Sequence, residues 1–349
     1  MNKKDFYSLL KYVPKAELHL HGEAVISKES LKELYKKNTG LTLSDANIRQ
    51  IFSYADLVGF LDAFIMVQSC INSEEDFSYL MKDFYTYLED NNIVYCETFF
   101  SPTSHIRKGL DFHSITKEIN ASIKKAKTCG REVKVIIDVS RSFGVENAKA
   151  NLDYVLNEKK LDIIGIGLGG DEKRGKAKDF KTVFDKAKKN GLHCVSHAGE
   201  ICPSSSIKDS LTYLHSERIG HGTSLIKDKK LLAEFVKKQI PLEICPTSNV
   251  FIGTYVHDIK EHPIREMYDK GIMVTLNTDD PTFFKVSLLD EYWNLYSKLN
   301  FNLKEIHEII LNGFKASFLP ETKKKSYIKK VNKAWDMWFL EHPDIKEKH

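Results

Sequence analysis

The chain has 349 residues, of which 42% are hydrophobic and 11% aromatic, so it can bury a sizeable core and is not expected to be disordered. Its 52 basic and 48 acidic residues give a net charge of +4 and are spread along the sequence, which excludes the basic patch typical of nucleic-acid binding. The sequence has no run of about 18 apolar residues, so no membrane span is predicted. Together, the charge pattern and the missing apolar run predict neither nucleic acid nor a membrane as a partner.

The six cysteines favour a reducing compartment. They form no CxxC pair, and several lie in apolar runs, where a thiol packs as a small hydrophobe. The first residues lack the apolar core of a signal peptide. We therefore expect a cytoplasmic protein.

The first strand signal covers residues 13–22, opening with a proline and closing with a glycine. Within it His19 and His21 alternate with leucines, so both imidazoles are expected on one side of the strand. From about 25 to 90 the apolar residues show only helical spacing. This pattern predicts a helical lid inserted after strand 1.

Seven further strand signals follow, separated by amphipathic helices. They cover residues 93–100, 133–139, 162–168, 192–197, 218–221, 241–245 and 271–277. Apolar strands that alternate with helices indicate a parallel sheet, and eight such units predict a (β/α)8 TIM barrel. A doubly wound open sheet is the alternative, but no GxGxxG motif follows the first strand. The region from about 287 is predicted to add helices outside the barrel, within one domain that spans 1–349.

Histidines and acids collect at the ends of these strands, where a barrel places its active site. They are His19 and His21 after strand 1, Asp171 and Glu172 after strand 4, His197 and Glu200 after strand 5, His221 after strand 6, and Asp279 and Asp280 after strand 8. Three imidazoles and one carboxylate suit Zn²⁺, with a position left for a water whose pKa the metal lowers. His19, His21 and His197 with one of the aspartates would form that set. Glu200 can then exchange protons with a substrate, and His221 can take a proton from the water.

Five short motifs keep the order and approximate spacing of one enzyme family. They are His19-Leu20-His21, Gly169-Gly170-Asp171-Glu172, His197-Ala198-Gly199-Glu200, Gly220-His221-Gly222 and Leu276-Asn277-Thr278-Asp279-Asp280-Pro281. Together they resemble the adenosine deaminase family, a branch of the metal-dependent amidohydrolase barrels. The resemblance spans residues 14–281, and five motifs in order argue against chance.

The resemblance implies a role for each matched residue. The ligands of one Zn²⁺ would be His19, His21, His197 and Asp279. Glu200 would protonate the purine ring nitrogen beside the carbon under attack, and His221 would act as a base or an electrostatic partner for the hydroxide. Asp280 would orient that hydroxide or contact the purine, and the Gly170 N–H would meet the other face of the ring. The implied reaction is hydrolytic loss of ammonia from a 6-aminopurine.

The number of metal ions follows from strand 4. Two-metal relatives usually carry a carboxylated lysine at the end of that strand, and residues 162–170 contain no lysine. One zinc ion per chain is therefore predicted.

Two other classes of protein are disfavoured. A phosphotriesterase-like or cyclic-amide hydrolase would need the same lysine at the end of strand 4. A non-enzymatic relative would lack a metal ligand or Glu200, and this chain has all of them.

The first motif bears on the choice of purine. It continues as Gly22-Glu23-Ala24, and in adenosine-specific members the acidic position contacts the ribose 5′-hydroxyl. Glutamate there resembles the adenine deaminase branch, but that branch tends to have Ser-Glu and Asp-His-Gly where this chain has Gly170-Asp171 and Gly220-His221. We therefore predict deamination of adenosine and 2′-deoxyadenosine in purine salvage, with adenine deaminase or aminodeoxyfutalosine deaminase as the alternatives.

The inserted helices supply the remaining candidates for the pocket. Phe60 and Phe64 are predicted to contact the purine or ribose, although aromatic residues at this spacing more often pack in a core. Arg141, after strand 3, is expected to pair with a neighbouring acid. Asp171 and Glu172 are expected to cap the next helix or to pair with a lysine, and the sequence does not indicate a protein partner.

Overall fold

The computed structural model describes residues 1–158 and 162–345, and in these ranges eight parallel strands form a barrel. The strands are β1 (Lys15–His21), β2 (Ile93–Phe100), β3 (Glu132–Asp138), β4 (Ile163–Leu168), β5 (His193–Ala198), β6 (Arg218–His221), β7 (Leu242–Ile244) and β8 (Val274–Leu276). Each strand pairs with the next one in chain order. The predicted (β/α)8 barrel is confirmed, and the parts of the predicted 1–349 domain at 159–161 and 346–349 lie outside the described residues.

Helices connect and surround these strands. The α-helices of the described ranges are α1 (Lys3–Tyr12), α2 (Lys28–Thr39), α3 (Asp45–Ile51), α4 (Leu57–Ser69), α5 (Phe77–Asp90), α6 (Thr103–Arg107), α7 (Phe112–Thr128), α8 (Gly144–Asn157), α9 (Lys181–Lys189), α10 (Ser204–Tyr213), α11 (Lys229–Lys238), α12 (Pro246–Ile252), α13 (Ile264–Asp269), α14 (Pro281–Phe284), α15 (Leu288–Lys298), α16 (Leu303–Ala316) and α17 (Glu321–Glu341). None of them is both long enough and apolar enough to cross a membrane.

The insertion after β1 is shorter than the predicted 25–90. Helix α5 packs against β2 and α7, as a regular barrel helix does, so the added elements are α2, α3 and α4. At the other end of the chain, α15 to α17 lie outside the barrel as predicted, with α16 packed on β1 and β8. Strand β8 begins later than predicted because Gly271 still belongs to the turn after α13, where its N–H donates to the Tyr268 carbonyl.

Backbone and side-chain hydrogen bonds close β8 onto β1. The Asp279 N–H donates to the His19 carbonyl at 3.1 Å, and the His21 N–H donates to the Asp279 carbonyl at 3.0 Å. The Asn277 Oδ1 accepts from the backbone N–H groups of Leu18 and His19. Closure satisfies backbone groups that an open edge would leave unpaired. It also holds Asp279 beside the two histidines of β1.

Candidate active site

Four side chains from three strand ends converge above the barrel. The Asp279 Oδ1 lies 3.3 Å from the Nε2 of His19 and 3.3 Å from the Nε2 of His21. The His21 Nε2 lies 3.3 Å from the His197 Nε2. One ligand atom from each of the four residues lies within 4.8 Å of the other three. The predicted set of metal ligands is therefore brought together, and Asp279 is the aspartate that completes it.

The donor atoms fit a bound divalent cation. The His19 Nε2, which faces the other ligand atoms, is buried without a hydrogen-bond partner among the described residues, an arrangement that is costly unless another group fills the space. Burial lowers the pKa of His19 and His21, but acidic neighbours outweigh it and raise the pKa to about 9 and about 10. The acids Asp279, Glu243 and Asp280 are responsible. A cation would neutralise this negative field, and three imidazoles with one carboxylate are a zinc-type donor set.

Close packing of His19 depends on a glycine of β6. A Cβ at position 220 would lie 2.7 Å from the His19 Cε1, so only Gly220 leaves room for the ring. The next residue, His221, has φ of 63°, and Asp279 has φ of 67°. Both are non-glycine residues in the left-handed region, and such strained positions concentrate at functional sites.

A buried chain of charges supports His19 from inside the barrel. The His19 Nδ1 lies 2.7 Å from the Glu243 Oε2, which fixes the ring and directs its Nε2 to the ligand cluster. Arg218 then pairs with Glu243 at 2.5 Å and with Glu97 at 2.6 Å. Its guanidinium stacks on Phe318, 3.8 Å from the ring centroid. Glu243 and Arg218 bridge strands that are distant in sequence, and neither was singled out from the sequence.

We expect Arg218→Met to lower the free energy of unfolding by about 3–5 kcal/mol, because it leaves two buried carboxylates without their cation. Urea denaturation followed by circular dichroism measures the change. The control is Arg174→Met, since Arg174 is exposed and pairs with Asp171, a surface interaction worth about 0.2–1 kcal/mol. Equal unfolding midpoints for the two variants would contradict the support role of Arg218.

Asp279 is held by a second set of polar residues. The Ser248 hydroxyl donates to its Oδ2 at 2.7 Å. The preceding residue, Thr278, donates its N–H and its hydroxyl to Glu17 at 2.9 and 2.7 Å, and the Tyr87 hydroxyl donates to the same carboxylate. The carboxylate of Asp279 is therefore fixed by Ser248, and the backbone before it is fixed by the contacts of Thr278. These contacts join β1, α5, α12 and the segment after β8.

Glu200 and His221 meet beside the ligand cluster. The Glu200 Oε1 lies 3.2 Å from the His221 Nδ1, and the Asn249 amide group lies 3.0 Å from both atoms. The His221 ring centroid is 4.9 Å from that of His19. Burial raises the pKa of Glu200 well above its usual value, and the charge of Asp279 raises it further. A carboxyl group that stays protonated at neutral pH can act as a general acid.

Asp280 is buried next to Asp279 and is close enough to His21 for their charges to interact. Burial and the charge of Asp279 raise the pKa of Asp280 to about 8. His21 opposes this shift. Two adjacent carboxyl groups whose pKa values are pushed apart are typical of sites that need one ion and one proton carrier.

Glu172 forms a clamp for the turn that carries Glu200. Its two oxygens accept from the N–H groups of four successive residues, Gly199, Glu200, Ile201 and Cys202, at 2.6 to 3.2 Å. The Ser206 hydroxyl donates to the same carboxylate. Glu172 was expected to cap a helix or pair with a lysine, and this expectation is wrong. Asp171 contacts its own turn instead, since its carboxylate accepts from the Lys173 N–H at 3.0 Å.

Glu172→Gln is expected to lower kcat by about 10²-fold, because the amide cannot accept from all the N–H groups and the turn shifts. The negative charge of Glu172 is also one of the causes that raise the pKa of Glu200. Removing that charge lowers the pKa of Glu200, so the acid loses its proton sooner and the high-pH limb of kcat moves to lower pH. A kcat–pH profile measures both effects. Asp171→Asn, a neighbouring charge removal, should leave the profile in place, and a wild-type profile for Glu172→Gln would contradict the clamp.

Gly170 and Glu23 lie at the ends of β4 and β1. Gly170 is exposed with φ of 83°, and a Cβ there would lie 2.8 Å from the hydroxyl oxygens of Ser140 and Ser142. Glu23 is only 2% exposed. Its Oε1 accepts from the Ser101 N–H at 2.7 Å, whereas its Oε2 has no partner among the described residues. The backbone of Gly170 is thus exposed, and one oxygen of Glu23 is buried with its hydrogen-bonding capacity unused.

Phe60 and Phe64 of α4 pack in an aromatic cluster. Phe60 stacks on Phe284 with ring centroids 5.1 Å apart, and Phe64 lies 5.3 Å from Phe283. Because Phe283 and Phe284 belong to α14, directly after Asp280, the cluster ties the inserted helices to the site. Core packing accounts for both residues, and their contact with a ligand stays a prediction.

Arg141 contacts backbone rather than an acid. Its guanidinium donates to the carbonyls of Leu168 and His197 at the ends of β4 and β5, and to that of Gly175 in the loop after β4. The expected ion pair is therefore wrong, because the loop after β3 brings the guanidinium over strand ends whose carbonyls need donors.

Several residues of the site were missed in the sequence. Ser248 and Asn249 lie in the segment Cys245-Pro246-Thr247-Ser248-Asn249, which directly follows β7. The rule that polar residues after barrel strands form the site would have found them. Glu243 and Arg218 had no such signal, since they lie inside strands.

Known proteins are similar to this chain in sequence and fold. The adenosine deaminase family model matches residues 14–334. An adenine deaminase of Psychrobacter cryohalolentis is 32% identical over 329 residues, which cover 93% of this chain and 98% of the relative. The crystal structure of adenine deaminase from Arthrobacter aurescens is 28% identical with a TM-score of 0.87, covering 92% of this chain and 98% of that one.

A third comparison supports the fold. An amidohydrolase from Burkholderia ambifaria, solved with bound Zn, superimposes with a TM-score of 0.89 at 22% identity and covers 95% of this chain and 93% of that one. The length of the matches and the fold therefore agree. The chain belongs to the adenosine deaminase family, whose members are metal-dependent, and is a hydrolytic deaminase that acts on carbon–nitrogen bonds.

Proposed function

We propose that this chain deaminates adenine to hypoxanthine, as a step of purine salvage in the cytoplasm. The sequence favoured adenosine, with adenine as an alternative, and the relatives named adenine deaminase support the alternative better. The structural observation that carries the choice is the free, buried oxygen of Glu23.

Free adenine differs from its nucleosides by an N–H on the five-membered ring, where a nucleoside carries ribose. The Glu23 Oε1 is already engaged by Ser101, so its Oε2 is the atom that can accept from such an N–H. Burial raises the pKa of Glu23, and the charge of His21 opposes that shift. A buried acceptor left unpaired is costly, so a site of this kind discriminates strongly against ligands that lack the matching donor.

The proposed cofactor is one Zn²⁺ held by His19, His21, His197 and Asp279, whose donor types and spacing suit it. When bound, zinc lowers the pKa of a coordinated water and so supplies hydroxide near neutral pH. In the balanced reaction a carbon–oxygen bond forms at C6 and the bond from C6 to the amino nitrogen breaks. One proton of the water ends on the ring nitrogen N1, and the other leaves with ammonia.

The remaining site residues handle protons and orientation. Glu200, whose pKa burial raises well above its usual value, gives its proton to N1 and makes C6 more electrophilic. Asp280 orients the attacking water beside the cluster, and the Gly170 N–H meets the opposite edge of the purine. Helix α4 covers the bound base, with Phe60 and Phe64 as its apolar contacts.

The test is a comparison of initial rates for adenine, adenosine, 2′-deoxyadenosine and aminodeoxyfutalosine, measured by ammonia release with the zinc-loaded enzyme. Adenine is expected to have the highest kcat/KM, exceeding that of adenosine by about 10⁴-fold, the discrimination typical of a buried polar group that needs a ligand N–H. A faster reaction with any of the nucleosides would contradict the proposal.

A further inference from the structure

The amide of Asn249 is the shared partner of the two candidate catalytic groups. Its Nδ2 lies 3.0 Å from the Glu200 Oε1 and 3.0 Å from the His221 Nδ1. On the other side, the Asn249 Oδ1 lies 3.2 Å from the Nε2 of His262. Asn249, His221 and His262 are all buried, so solvent does not compete for these contacts.

A backbone group determines which nitrogen of His262 carries a proton. The Ile264 N–H donates to the His262 Nδ1 at 3.1 Å, so this nitrogen must present its lone pair. Burial lowers the pKa of His262 to about 3, so the ring is neutral and its proton resides on Nε2. That N–H donates to the Asn249 Oδ1. A flipped Asn249 amide would place its NH₂ group against the Nε2–H of His262, so that two donors would face each other.

The orientation of Asn249 then constrains both of its other neighbours. With Oδ1 occupied by His262, the NH₂ group points at Glu200 and His221 and offers one hydrogen to each. His221 must accept through Nδ1, and its single proton must lie on Nε2. The Glu200 Oε1 accepts the other hydrogen. Because Oε1 and the His221 Nδ1, 3.2 Å apart, then share one donor group, we place the acidic proton of Glu200 on Oε2.

We propose that His262 and Asn249 form a positioning pair that sets the proton positions of the deaminase site, holding His221 as its Nε2–H tautomer and the proton of Glu200 on Oε2. The pair acts through hydrogen-bond direction and does not itself touch the substrate. This inference rests on the proposed roles of Glu200 and His221.

The assigned tautomer decides between the two roles considered for His221. A neutral ring whose Nδ1 accepts from Asn249 has no free lone pair for a proton from water, so His221 is a hydrogen-bond donor through Nε2 rather than a base. It stabilises the negative charge that develops on the attacking oxygen. Glu200 is left as the proton carrier at the purine.

The direct test is ¹⁵N NMR of the zinc-loaded enzyme labelled at histidine, with the His221 signals assigned by comparison with His221→Gln. The His221 Nε2 is expected to carry the proton, and its Nδ1 to show the shift of a hydrogen-bonded lone pair. A proton on Nδ1 would overturn the proposal. The measurement needs no substrate, so it is independent of which purine the enzyme deaminates, whereas a wild-type enzyme inactive on adenine would contradict only the proposed function.

Turnover of His262 variants supplies the second test. His262→Leu removes the donor to Asn249 and is expected to lower kcat about 10- to 100-fold, as loss of outer-shell partners does, with KM and zinc content unchanged. His262→Gln keeps a side-chain N–H donor and should recover most of the turnover. His257→Leu, at an exposed histidine of the same segment, is the matched control and should behave as wild type. Wild-type kcat in His262→Leu, or equal losses in His262→Leu and His262→Gln, would overturn the proposal.

Discussion

Glu200→Gln is expected to lower kcat by about 10²–10⁴-fold on any 6-aminopurine that the enzyme accepts, the range typical of losing a general acid. The amide has nearly the same shape and can still accept from Asn249, so the hydrogen bond at 3.0 Å can persist. It has no acidic proton to give to the ring nitrogen. Zinc content should therefore stay at the wild-type value while the chemical step slows.

Two measurements accompany this variant. Metal content by atomic emission separates loss of the proton carrier from loss of the metal. Glu234→Gln is the matched control, because Glu234 is a partly exposed residue of α11 that pairs with Lys238 in the same helix. Turnover of Glu200→Gln near the wild-type value would remove Glu200 from the role of acid and leave its raised pKa without a function.

His197→Gln is expected to lose bound metal and activity together. His197 supplies one of three imidazoles in a cluster whose donor atoms lie within 4.8 Å, and glutamine is a poor substitute for an imidazole nitrogen. The loss of activity should exceed the 10- to 100-fold that outer-shell changes cost. Metal content per chain should fall well below the value of about one that the single donor set predicts.

A histidine of the same strand provides the control for this variant. His193 lies at the start of β5, stacks on Phe318 and pairs with Glu217, away from the ligand cluster. His193→Gln should therefore keep its metal and its activity. Full metal content in His197→Gln would contradict the assigned ligand set.

The sequence predicted the barrel and the ligand cluster because both depend on local patterns. Apolar runs of strand length mark the eight strands, and the rule that parallel strands share a carboxyl-terminal edge brings their last residues together. His19, His21 and His197 lie in the last residues of strands and Asp279 three residues past β8, so the convergence of three histidines and an aspartate needed no knowledge of packing, and the family resemblance selected Asp279.

The residues that support the site, such as Arg218 and Glu172, could not be predicted because their contacts join distant parts of the chain. Arg218 pairs with acids on two other strands, and Glu172 reaches a turn that lies 27 to 30 residues later. A polar residue within a strand, or a glutamate after one, has the same local appearance whether it is exposed or buried. Only the three-dimensional arrangement shows which partner satisfies it.

The choice of purine was the least predictable property. Glu23 was identified as the deciding position, but the sequence could not show that one oxygen is taken by Ser101 and the other is buried and free. The motifs at Gly170 and Gly220 pointed away from adenine because only their residue types were compared, without the positions of those residues in the fold. The geometry around Glu23 and the named relatives favour adenine instead.

The ratio of kcat/KM for adenine to that for adenosine, measured on one preparation of the zinc-loaded wild-type enzyme, tests this account most directly. We predict a ratio of about 10⁴ in favour of adenine, because only the free base offers an N–H to the unpaired oxygen of Glu23. A ratio of one or less would contradict the account, since Glu23 would then not select the free base.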